Sequence, residues 1–307
     1  MRYTLENEIL RAEFESKGAE LKSVVNKKTN VEYMWQGDPT YWNRTSPVLF
    51  PFVGGVVNDE YTFEGTCYHM GQHGFARDNE FEVASHDSNS IFFKLIDNEE
   101  TYKNYPFHFE LQVGYILNGK SLEFVWKVKN PGQDRADGNL YFSIGGHPAF
   151  NCPIALQPGN DGTKEAVGNS KTGYILQFDN LSQLHHHGNL NGTATREDIV
   201  LQLDNGKVTI SDDFFNRSTY IAENNQAHKI SLSTPEGVAY ITVEFEAPLF
   251  GIWSPIGKNA PFVCIEPWYG RTDYDDYCGD LTHREYGNVL APQNEFEKKY
   301  IVTYFEG

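Results

Sequence analysis

The 307-residue sequence has few basic residues, few cysteines and no long apolar segment, and each shortage argues against a class of protein. Lys and Arg number 25 against 42 Asp and Glu, and the resulting net charge of −17 disfavours nucleic acid or an anionic membrane as a partner. The four cysteines lie far apart without a CxxC pair, which argues against a disulfide framework or a zinc ribbon.

No stretch has the character of a membrane span or a signal peptide. The longest mostly apolar run, residues 48–57, includes Pro51 and two glycines and is about half of the roughly 20 residues that a bilayer requires. Glu6 and Glu8 interrupt the segment in which a signal peptide needs apolar residues. Together with the sparse cysteines, this predicts a cytoplasmic protein that binds no membrane.

Familiar catalytic motifs are missing as well. The sequence contains neither the GxSxG of serine hydrolases nor the HExxH of zinc peptidases. Residues 114–121 fit the P-loop pattern GxxxxGK[ST], but a phosphate-binding loop must lead into a helix. Here the following residues alternate as a strand does, and Asn118-Gly119 is a strong signal for a two-residue hairpin turn. We therefore predict a β-hairpin and no nucleotide site.

Alternation of apolar and polar residues, the pattern of half-buried strands, dominates what the sequence does contain. It is clearest in residues 122–128 and returns in residues 10–14 and 239–245. The best helix candidate is short, residues 98–104, with Asn98 as its N-cap and Pro106 after its end. The sequence predicts an all-β, largely antiparallel protein with minimal helix.

Residues 153–196 differ in character, being rich in Gly, Asn, Ser, Thr and His with little alternation. Because strand-like alternation resumes at 199–203, we predict surface loops within a single domain that spans residues 1–307. His185, His186 and His187 fall in this region. Adjacent side chains rarely converge on one metal ion, so we predict solvated loop histidines.

Three segments place polar side chains among glycine, proline and aromatic residues. His73 lies in the loop sequence Gln-His-Gly-Phe-Ala-Arg, residues 72–77. His147 follows paired glycines and precedes Pro148, a rigid setting that suggests a function for the imidazole. Glu266 interrupts an apolar run, where a buried carboxylate is costly unless it is paired or functional. Spacing alone leaves both a functional and a structural role open for Glu266.

Taken in order, five segments resemble the aldose 1-epimerase (galactose mutarotase-like) family, most closely its LacX-type bacterial branch. They are FPFVG at 50–54, QHGFAR at 72–77, YPFHF at 105–109, GGHPAF at 145–150 and CIEPW at 264–268. The resemblance covers essentially the whole chain. It implies a large antiparallel β-sandwich of the supersandwich type, with a sugar-binding cleft on one sheet and no metal or other cofactor.

The resemblance also implies roles for individual residues. His147 matches a general acid, Glu266 a general base and His73 a second active-site histidine. Arg77 matches an arginine that lines the sugar or phosphate site, and Arg44 matches another site arginine more loosely.

Two further expectations concern the surroundings of the sugar. Aromatic side chains commonly stack on the apolar face of a sugar, and the candidates here are Trp268, Tyr269, Trp253 and Phe150. Many relatives carry a basic residue directly after the FPFVG segment, where this chain has Gly55. A cationic contact to the substrate is therefore missing or is supplied from elsewhere.

The implied reaction interconverts the α and β anomers of an aldohexose. A base removes the C1 hydroxyl proton while an acid protonates the ring oxygen, and the roles reverse when the ring closes. Glu266 is expected to be ionised, and a histidine beside a carboxylate is expected to have a raised pKa. The partner is then a small-molecule aldose or aldose phosphate, bound by a monomer or a homodimer.

Three alternatives stay open on the sequence. A hexose-6-phosphate 1-epimerase would need a guanidinium clamp, for which the available cations are Arg77, Arg44, Arg271 and Lys258. A non-catalytic carbohydrate-binding protein could use the same fold and cleft. A glycosidase would need two carboxylic acids, and only Glu266 stands in a well-defined setting.

Overall fold

The computed structural model describes residues 1–156, 170–217 and 219–306, and strands dominate it. The first strands are β1 Arg2–Glu6, β2 Leu10–Glu15, β3 Glu20–Asn26, β4 Val31–Met34, β5 Val48–Leu49, β6 Glu60–Phe63, β7 Thr66–His69, β8 Glu82–His86, β9 Ser90–Ile96, β10 Glu110–Asn118, β11 Ser121–Lys129, β12 Leu140–Phe142, β13 Ile144–Gly146 and β14 Ala149–Leu156. The later ones are β15 Ile175–Phe178, β16 Gln183–His186, β17 Asn189–Leu190, β18 Thr193–Ala194, β19 Ile199–Gln202, β20 Lys207–Thr209, β21 Tyr220–Ala222, β22 Lys229–Ser233, β23 Ala239–Phe245, β24 Leu249–Trp253, β25 Phe262–Tyr269, β26 Asn288–Leu290 and β27 Glu295–Tyr304.

Helix is confined to short segments of the described chain. The α-helix α1 spans Glu99–Asn104, and 3₁₀ turns cover Val57–Asp59, Ala76–Asp78 and Leu281–His283. The prediction for α1 is confirmed, including its cap, because the Asn98 side chain accepts hydrogen bonds from the N–H groups of Glu100 and Thr101. The all-β prediction is confirmed with it.

Two large antiparallel sheets organise the described residues. In a 10-stranded sheet the order runs β1-β2-β3-β4-β14-β25-β13-β5, with β24 paired to β25 and β21 paired to β24. In a 9-stranded sheet the order is β20-β15-β22-β23-β27-β11-β10-β9-β8. The remaining pairs, β6-β7, β12-β26, β16-β19 and β17-β18, are two-stranded.

Aromatic side chains fill the space between the two large sheets. Phe14 of the 10-stranded sheet meets Tyr115 of the other with ring centroids 4.5 Å apart, and Tyr33 meets Tyr304 at 5.0 Å. Residues from both sheets belong to one continuous cluster of buried apolar side chains. Burial of this aromatic area supplies the main favourable contribution to folding.

The strand and hairpin predictions are confirmed. In β11 the side chains of Leu122, Phe124, Trp126 and Val128 are all buried in the core. The P-loop-like segment forms the turn between β10 and β11, in which Asn118 pairs with Ser121. The alternation in β23 is less strict than predicted, because Tyr240 and Thr242 on its second face are buried as well.

The prediction of surface loops over 153–196 is wrong for its described part. Strands β15, β16, β17 and β18 lie there, while residues 157–169 are outside the described residues. His185 and His186 are in β16, and His186 is buried, so the prediction of solvated loop histidines fails for it. These strands are only two to four residues long, too short for alternation to show, and β15 pairs with β22, which is distant in sequence.

Two features bear on the remaining sequence predictions. Within the described ranges, no helix is long and apolar enough to cross a membrane. The extent of the domain, residues 1–307, stays a prediction.

Candidate active site

A cavity of about 670 Å³ opens beside β25, and most of the predicted site residues line it. Its walls include His73, His147, Glu266, Arg44, Arg77, Trp253 and Trp268. These residues come from segments more than two hundred positions apart in the sequence. The pairing of β25 with β13, β14 and β24 brings the segments together.

His147 and Glu266 form the centre of the cavity. His147 lies between β13 and β14, and Glu266 is in the middle of the neighbouring β25. Nε2 of His147 is 3.3 Å from Oε2 of Glu266, and both side chains are buried. The His147 N–H donates to the Pro47 carbonyl at 3.1 Å, which fixes the backbone that carries the imidazole.

The paired glycines before His147 are required by their neighbours. A Cβ atom on Gly145 would lie 2.6 Å from Cδ1 of Trp268, and one on Gly146 would lie 2.7 Å from the Tyr300 hydroxyl oxygen. Real Cβ atoms almost never come so close to other heavy atoms. The glycines therefore allow the site strand to pack tightly between an indole and the second sheet.

His73 is held in one tautomer by the backbone. Its backbone lies in the left-handed region with φ of 67°, and its N–H donates to the Gly54 carbonyl at 2.7 Å. The Gly54 N–H in turn donates to Nδ1 of His73 at 3.0 Å. Because Nδ1 accepts this bond, the proton of neutral His73 is on Nε2, which is a hydrogen-bond donor.

The ionisation of the central pair differs from the sequence expectation. Burial, reinforced by the charge of Arg77, lowers the pKa of His147 to about 3. Burial raises the pKa of Glu266 well above its ordinary range, and the neighbouring Trp268 indole offsets part of this. The prediction of a raised histidine pKa and an ionised carboxylate is therefore wrong for the sugar-free site, because desolvation outweighs the attraction between the two groups.

Burial also affects the second histidine in the same direction. It lowers the pKa of His73 well below the ordinary value, and the charges of Arg77 and Arg44 add to the effect. His73 is therefore neutral at physiological pH, in agreement with its bond from Gly54.

Several buried polar atoms at the centre have no hydrogen-bond partner among the described residues. They are Nδ1 of His147, Oε1 of Glu266 and Nε1 of Trp268. A buried polar group without a partner is costly, and active sites are places where such groups are retained for a ligand.

Two tryptophans contact the imidazole of His147. Trp42 stacks on it with centroids 4.7 Å apart, and Trp253 meets it edge-on at 5.3 Å. Trp253 and Trp268 line the cavity as predicted. The other two stacking candidates, Phe150 and Tyr269, are buried in the core and are not among the lining residues.

Arg44 and Arg77 share one carboxylate near the two histidines. Nη2 of Arg44 is 2.8 Å from Oδ1 of Asp78, and Nε of Arg77 is 3.8 Å from Oδ2. Nη2 of Arg77 donates to the Gln72 carbonyl at 2.7 Å. Burial and the charge of Arg44 lower the pKa of Arg77 to about 10. The charges of Asp78 and Glu20 partly offset this lowering.

Neither of the other two predicted cations lines the cavity. Arg271 is buried in ion pairs with Glu223 and Glu285, and Lys258 donates to the carbonyls of Thr40 and Tyr41. Their nomination as phosphate-binding cations is therefore corrected.

Sequence reasoning missed Arg217, Thr272 and Trp42, which also line the cavity. Trp42 could have been nominated from the sequence, because it is an aromatic residue two positions before the candidate Arg44. Arg217 and Thr272 lie in loops whose sequences carry no recognisable pattern. Gly55, where relatives have a basic residue, has no room for a side chain, because a Cβ atom there would be 2.7 Å from the Gly192 carbonyl oxygen.

Among the residues that the structure describes, one group of side chains could hold a metal ion. Ligand atoms of His147, Cys264 and Glu266 lie within 4.8 Å of one another. Burial raises the pKa of the Cys264 thiol well above its ordinary value, and a metal would need the thiolate. The expectation of a site without a metal stays a prediction.

Comparison with known proteins identifies the family. A model of the family described as aldose 1-epimerase matches residues 1–303. The chain belongs to the aldose 1-epimerase family. As a member it is an isomerase of the aldose 1-epimerase or mutarotase type, which interconverts the α and β anomers of a sugar.

Individual relatives of this aldose 1-epimerase agree. Protein LacX of Lactococcus lactis subsp. lactis, in a plasmid and a chromosomal form, is 30% identical over 312 residues, which cover 99% of each chain. A galactose mutarotase related enzyme from Lactobacillus acidophilus is 38% identical with a TM-score of 0.89, covering 100% of this chain and 98% of that one. A galactose mutarotase-like protein from Lactobacillus casei is 29% identical with a TM-score of 0.85, covering 99% and 100%. The predicted galactose mutarotase-like sandwich is therefore confirmed.

Proposed function

We propose that His147, Glu266 and His73 together catalyse the anomer interconversion of an aldohexose in this cavity. The observation that carries the proposal is the buried contact of 3.3 Å between Nε2 of His147 and Oε2 of Glu266, with His73 beside it. Ring opening needs one group that accepts a proton and another that donates one. A pair that shares a single proton offers both.

The direction of the pKa shifts favours ring opening. In the proposed step Glu266 takes the proton of the C1 hydroxyl, and protonated His147 gives its proton to the ring oxygen. Burial raises the pKa of Glu266 and lowers that of His147, so it makes the carboxylate a stronger base and the imidazolium a stronger acid. The step converts a buried ion pair into two neutral groups.

Sugar binding prepares the pair for this step. In the sugar-free site the shared proton rests on Glu266, since both pKa shifts favour the neutral forms. A C1 hydroxyl that donates to Glu266 stabilises the carboxylate, and the proton then passes to His147 across the contact. Ring closure on the other face reverses the transfers, so the site returns to its starting state.

The other groups hold the sugar in position. His73 presents its Nε2–H as a neutral donor to a sugar oxygen. Trp253 and Trp268 offer apolar surface to a sugar face. Arg44 and Arg77 donate hydrogen bonds to sugar hydroxyl groups near C1. Their closeness to the reacting end follows from their charges, which lower the pKa values of both histidines. A cytoplasmic location and a monomeric or homodimeric state stay predictions.

The test measures anomer exchange at equilibrium by two-dimensional proton NMR, with galactose and glucose and a protein-free control. We expect Glu266→Gln and His147→Ala each to lower kcat/KM by at least about 100-fold, because each removes one partner of the proton transfer. Matched controls are Glu82→Gln and His69→Ala, which change exposed residues outside the cavity. Circular dichroism and thermal unfolding establish that each variant is folded.

Two results would count against the proposal. Near wild-type exchange in a folded Glu266→Gln variant would remove Glu266 from the catalytic role. No acceleration with any aldose, combined with sugar binding by calorimetry, would favour a non-catalytic carbohydrate-binding protein.

A further inference from the structure

One arginine differs from all the others in its charge environment. The chain has nine arginines. Eight of them lie within 4.0 Å of a carboxylate, namely Arg2, Arg11, Arg44, Arg77, Arg135, Arg196, Arg271 and Arg284. Arg217 has no ion pair and no hydrogen bond from its guanidinium to any described residue. It thus keeps its planar set of donors available, in a protein whose net charge is −17.

Arg217 stands where the active-site cavity meets a second one. It lies in the loop before β21 and lines both the catalytic cavity and an adjoining cavity of about 520 Å³. Asn189 is the other residue common to both walls. A ligand bound at His147 and Glu266 therefore has Arg217 on its boundary, with open space beyond.

Arg217 lies at the boundary with the second cavity, whereas Arg44 and Arg77 act on the pKa values of the two histidines. Besides burial, the charge of His147 lowers the pKa of His73, and the charges of Arg77 and Arg44 lower the pKa values of both histidines. Arg217 is not among these causes. The two closer arginines are also engaged by Asp78 and, for Arg77, by the Gln72 carbonyl. Arg217 is thus the cation suited to a substituent far from C1.

Arg217 affects the pKa of the acidic side chain Asp213 but forms no ion pair with it in the described structure. Asp213 lines the second cavity. Its pKa is lowered mainly by a hydrogen bond from the Ser211 hydroxyl, and the charge of Arg217 adds to this effect. That hydroxyl donates to Oδ1 of Asp213 at 2.6 Å. In the catalytic cavity, the sole acidic residue of the described lining is Glu266.

We propose that Arg217 binds an anionic group, a phosphate or a carboxylate, carried by the aldose on a carbon remote from C1. The inference rests on the proposed function and names its substrate class as acidic sugars. A guanidinium binds either oxyanion through two parallel N–H···O bonds, and such charge-assisted pairs are stronger than hydrogen bonds to neutral hydroxyls. Arg217 then determines specificity and takes no part in the proton transfers.

The test compares acidic and neutral sugars of the same configuration. Anomer exchange is measured by NMR for glucose 6-phosphate, glucuronate and glucose, and for galactose 6-phosphate, galacturonate and galactose, each against a protein-free control. In the wild-type enzyme we expect kcat/KM for one acidic class to exceed that for its neutral sugar by about 10- to 100-fold. Whichever of phosphate or carboxylate is preferred identifies the source of the anionic group.

The variants assign the preference to Arg217. Arg217→Ala is expected to reduce the acidic-to-neutral ratio at least about tenfold through a higher KM, because the loss lies in binding. Arg217→Lys should restore part of the ratio, since it keeps the charge and loses the planar fork. Arg2→Ala, which removes an exposed arginine in β1, is the control for net charge and should leave the ratio as in the wild type.

Each outcome decides the inference. A wild-type ratio of one or less, or a ratio that Arg217→Ala leaves intact, overturns it while the anomer exchange of neutral sugars still supports the proposed function. If no sugar is turned over, the proposed function fails instead. Calorimetry with glucose 6-phosphate and glucuronate then tests Arg217 directly, because unchanged affinity in Arg217→Ala overturns the inference.

Discussion

Single residues in this site are tuned by the removal of water. His147 and Glu266 are close enough to attract each other, yet the pKa shift of each favours its neutral form, because burial penalises both charges. In the proposed step, the same penalty makes the carboxylate of Glu266 a stronger base and the imidazolium of His147 a stronger acid. One local property, desolvation, thus sets the resting state and the chemistry.

The buried histidines should make stability depend on pH. In the unfolded chain a histidine binds a proton below about pH 6.5. Native His147, whose pKa burial lowers to about 3, does not, so its contribution to stability falls as the pH drops below 6.5. We expect His147→Ala to reduce the slope of the unfolding free energy against pH, between about pH 6 and 5, by about 1.2 kcal/mol per pH unit.

Urea unfolding at several pH values measures this slope. Glu266, with its raised pKa, has the opposite dependence, so the comparison is between variants and not between absolute slopes. His69→Ala, which removes an exposed histidine, is the comparison variant. Equal slopes in the wild type and His147→Ala would contradict a depressed histidine pKa.

The sequence identified site residues where the local setting is unusual. His147 stands out between paired glycines and a proline, and Glu266 stands out as the sole acid in an apolar run. Arg217 has no such setting in the sequence. What distinguishes it is that no described carboxylate pairs with it in the folded structure. No pattern along the chain reports which of nine arginines finds a carboxylate after folding.

At the scale of elements, the loop after β25 binds the loop of Gly54 and Gly55, which in turn orients His73. The Thr272 hydroxyl lies 2.9 Å from the Gly55 carbonyl oxygen and accepts the Gly55 N–H at 3.0 Å. The adjacent Gly54 N–H donates to Nδ1 of His73. A threonine outside the proton-transfer pair therefore fixes the backbone that sets the tautomer of an active-site histidine.

Removing that hydroxyl should weaken the arrangement without changing its shape. We expect Thr272→Val, which keeps the volume, to lower kcat/KM about tenfold and the unfolding free energy by about 1–3 kcal/mol, since buried backbone groups lose a partner. Thr272→Ser keeps the hydroxyl and should stay close to the wild type. Exchange kinetics and urea unfolding measure both effects, and equal behaviour of the two variants would exclude the hydroxyl as the cause.

Elements with strong local signals were predictable. The N-cap of α1 and the alternation in β11 depend only on residues that are close together in the sequence, and both predictions are confirmed. Strand β16 was not predictable, because it is four residues long and depends on its pairing with β19. Short strands are stabilised by partners and by burial more than by their own sequence.

At the scale of the molecule, the 9-stranded sheet packs against the part of the 10-stranded sheet that carries His147. Tyr300 of β27 stacks on Phe124 at 4.3 Å, and its hydroxyl lies against the open face of Gly146, next to His147. The position of the His147 imidazole thus depends on packing between layers as well as on pairing within one sheet.

We expect Tyr300→Ala to lower the unfolding free energy by about 3–5 kcal/mol, because it opens a cavity between the sheets. The loss should also reduce kcat, since the strand beneath His147 is no longer supported. Tyr300→Phe keeps the ring and should cost about 1 kcal/mol. Urea unfolding and exchange kinetics measure these values, and full activity in a destabilised Tyr300→Ala variant would contradict support of the site by the second sheet.

The position of two strands in the sheets has a consequence for biosynthesis. Strand β25 lies inside the 10-stranded sheet and β27 inside the 9-stranded sheet, yet each is translated after every other strand of its own sheet. Until they emerge, strands on either side present unpaired edges, which invite association with other chains. The nascent polypeptide therefore completes neither layer until that strand emerges, and Glu266 joins the 10-stranded sheet only after all its other strands have been synthesised.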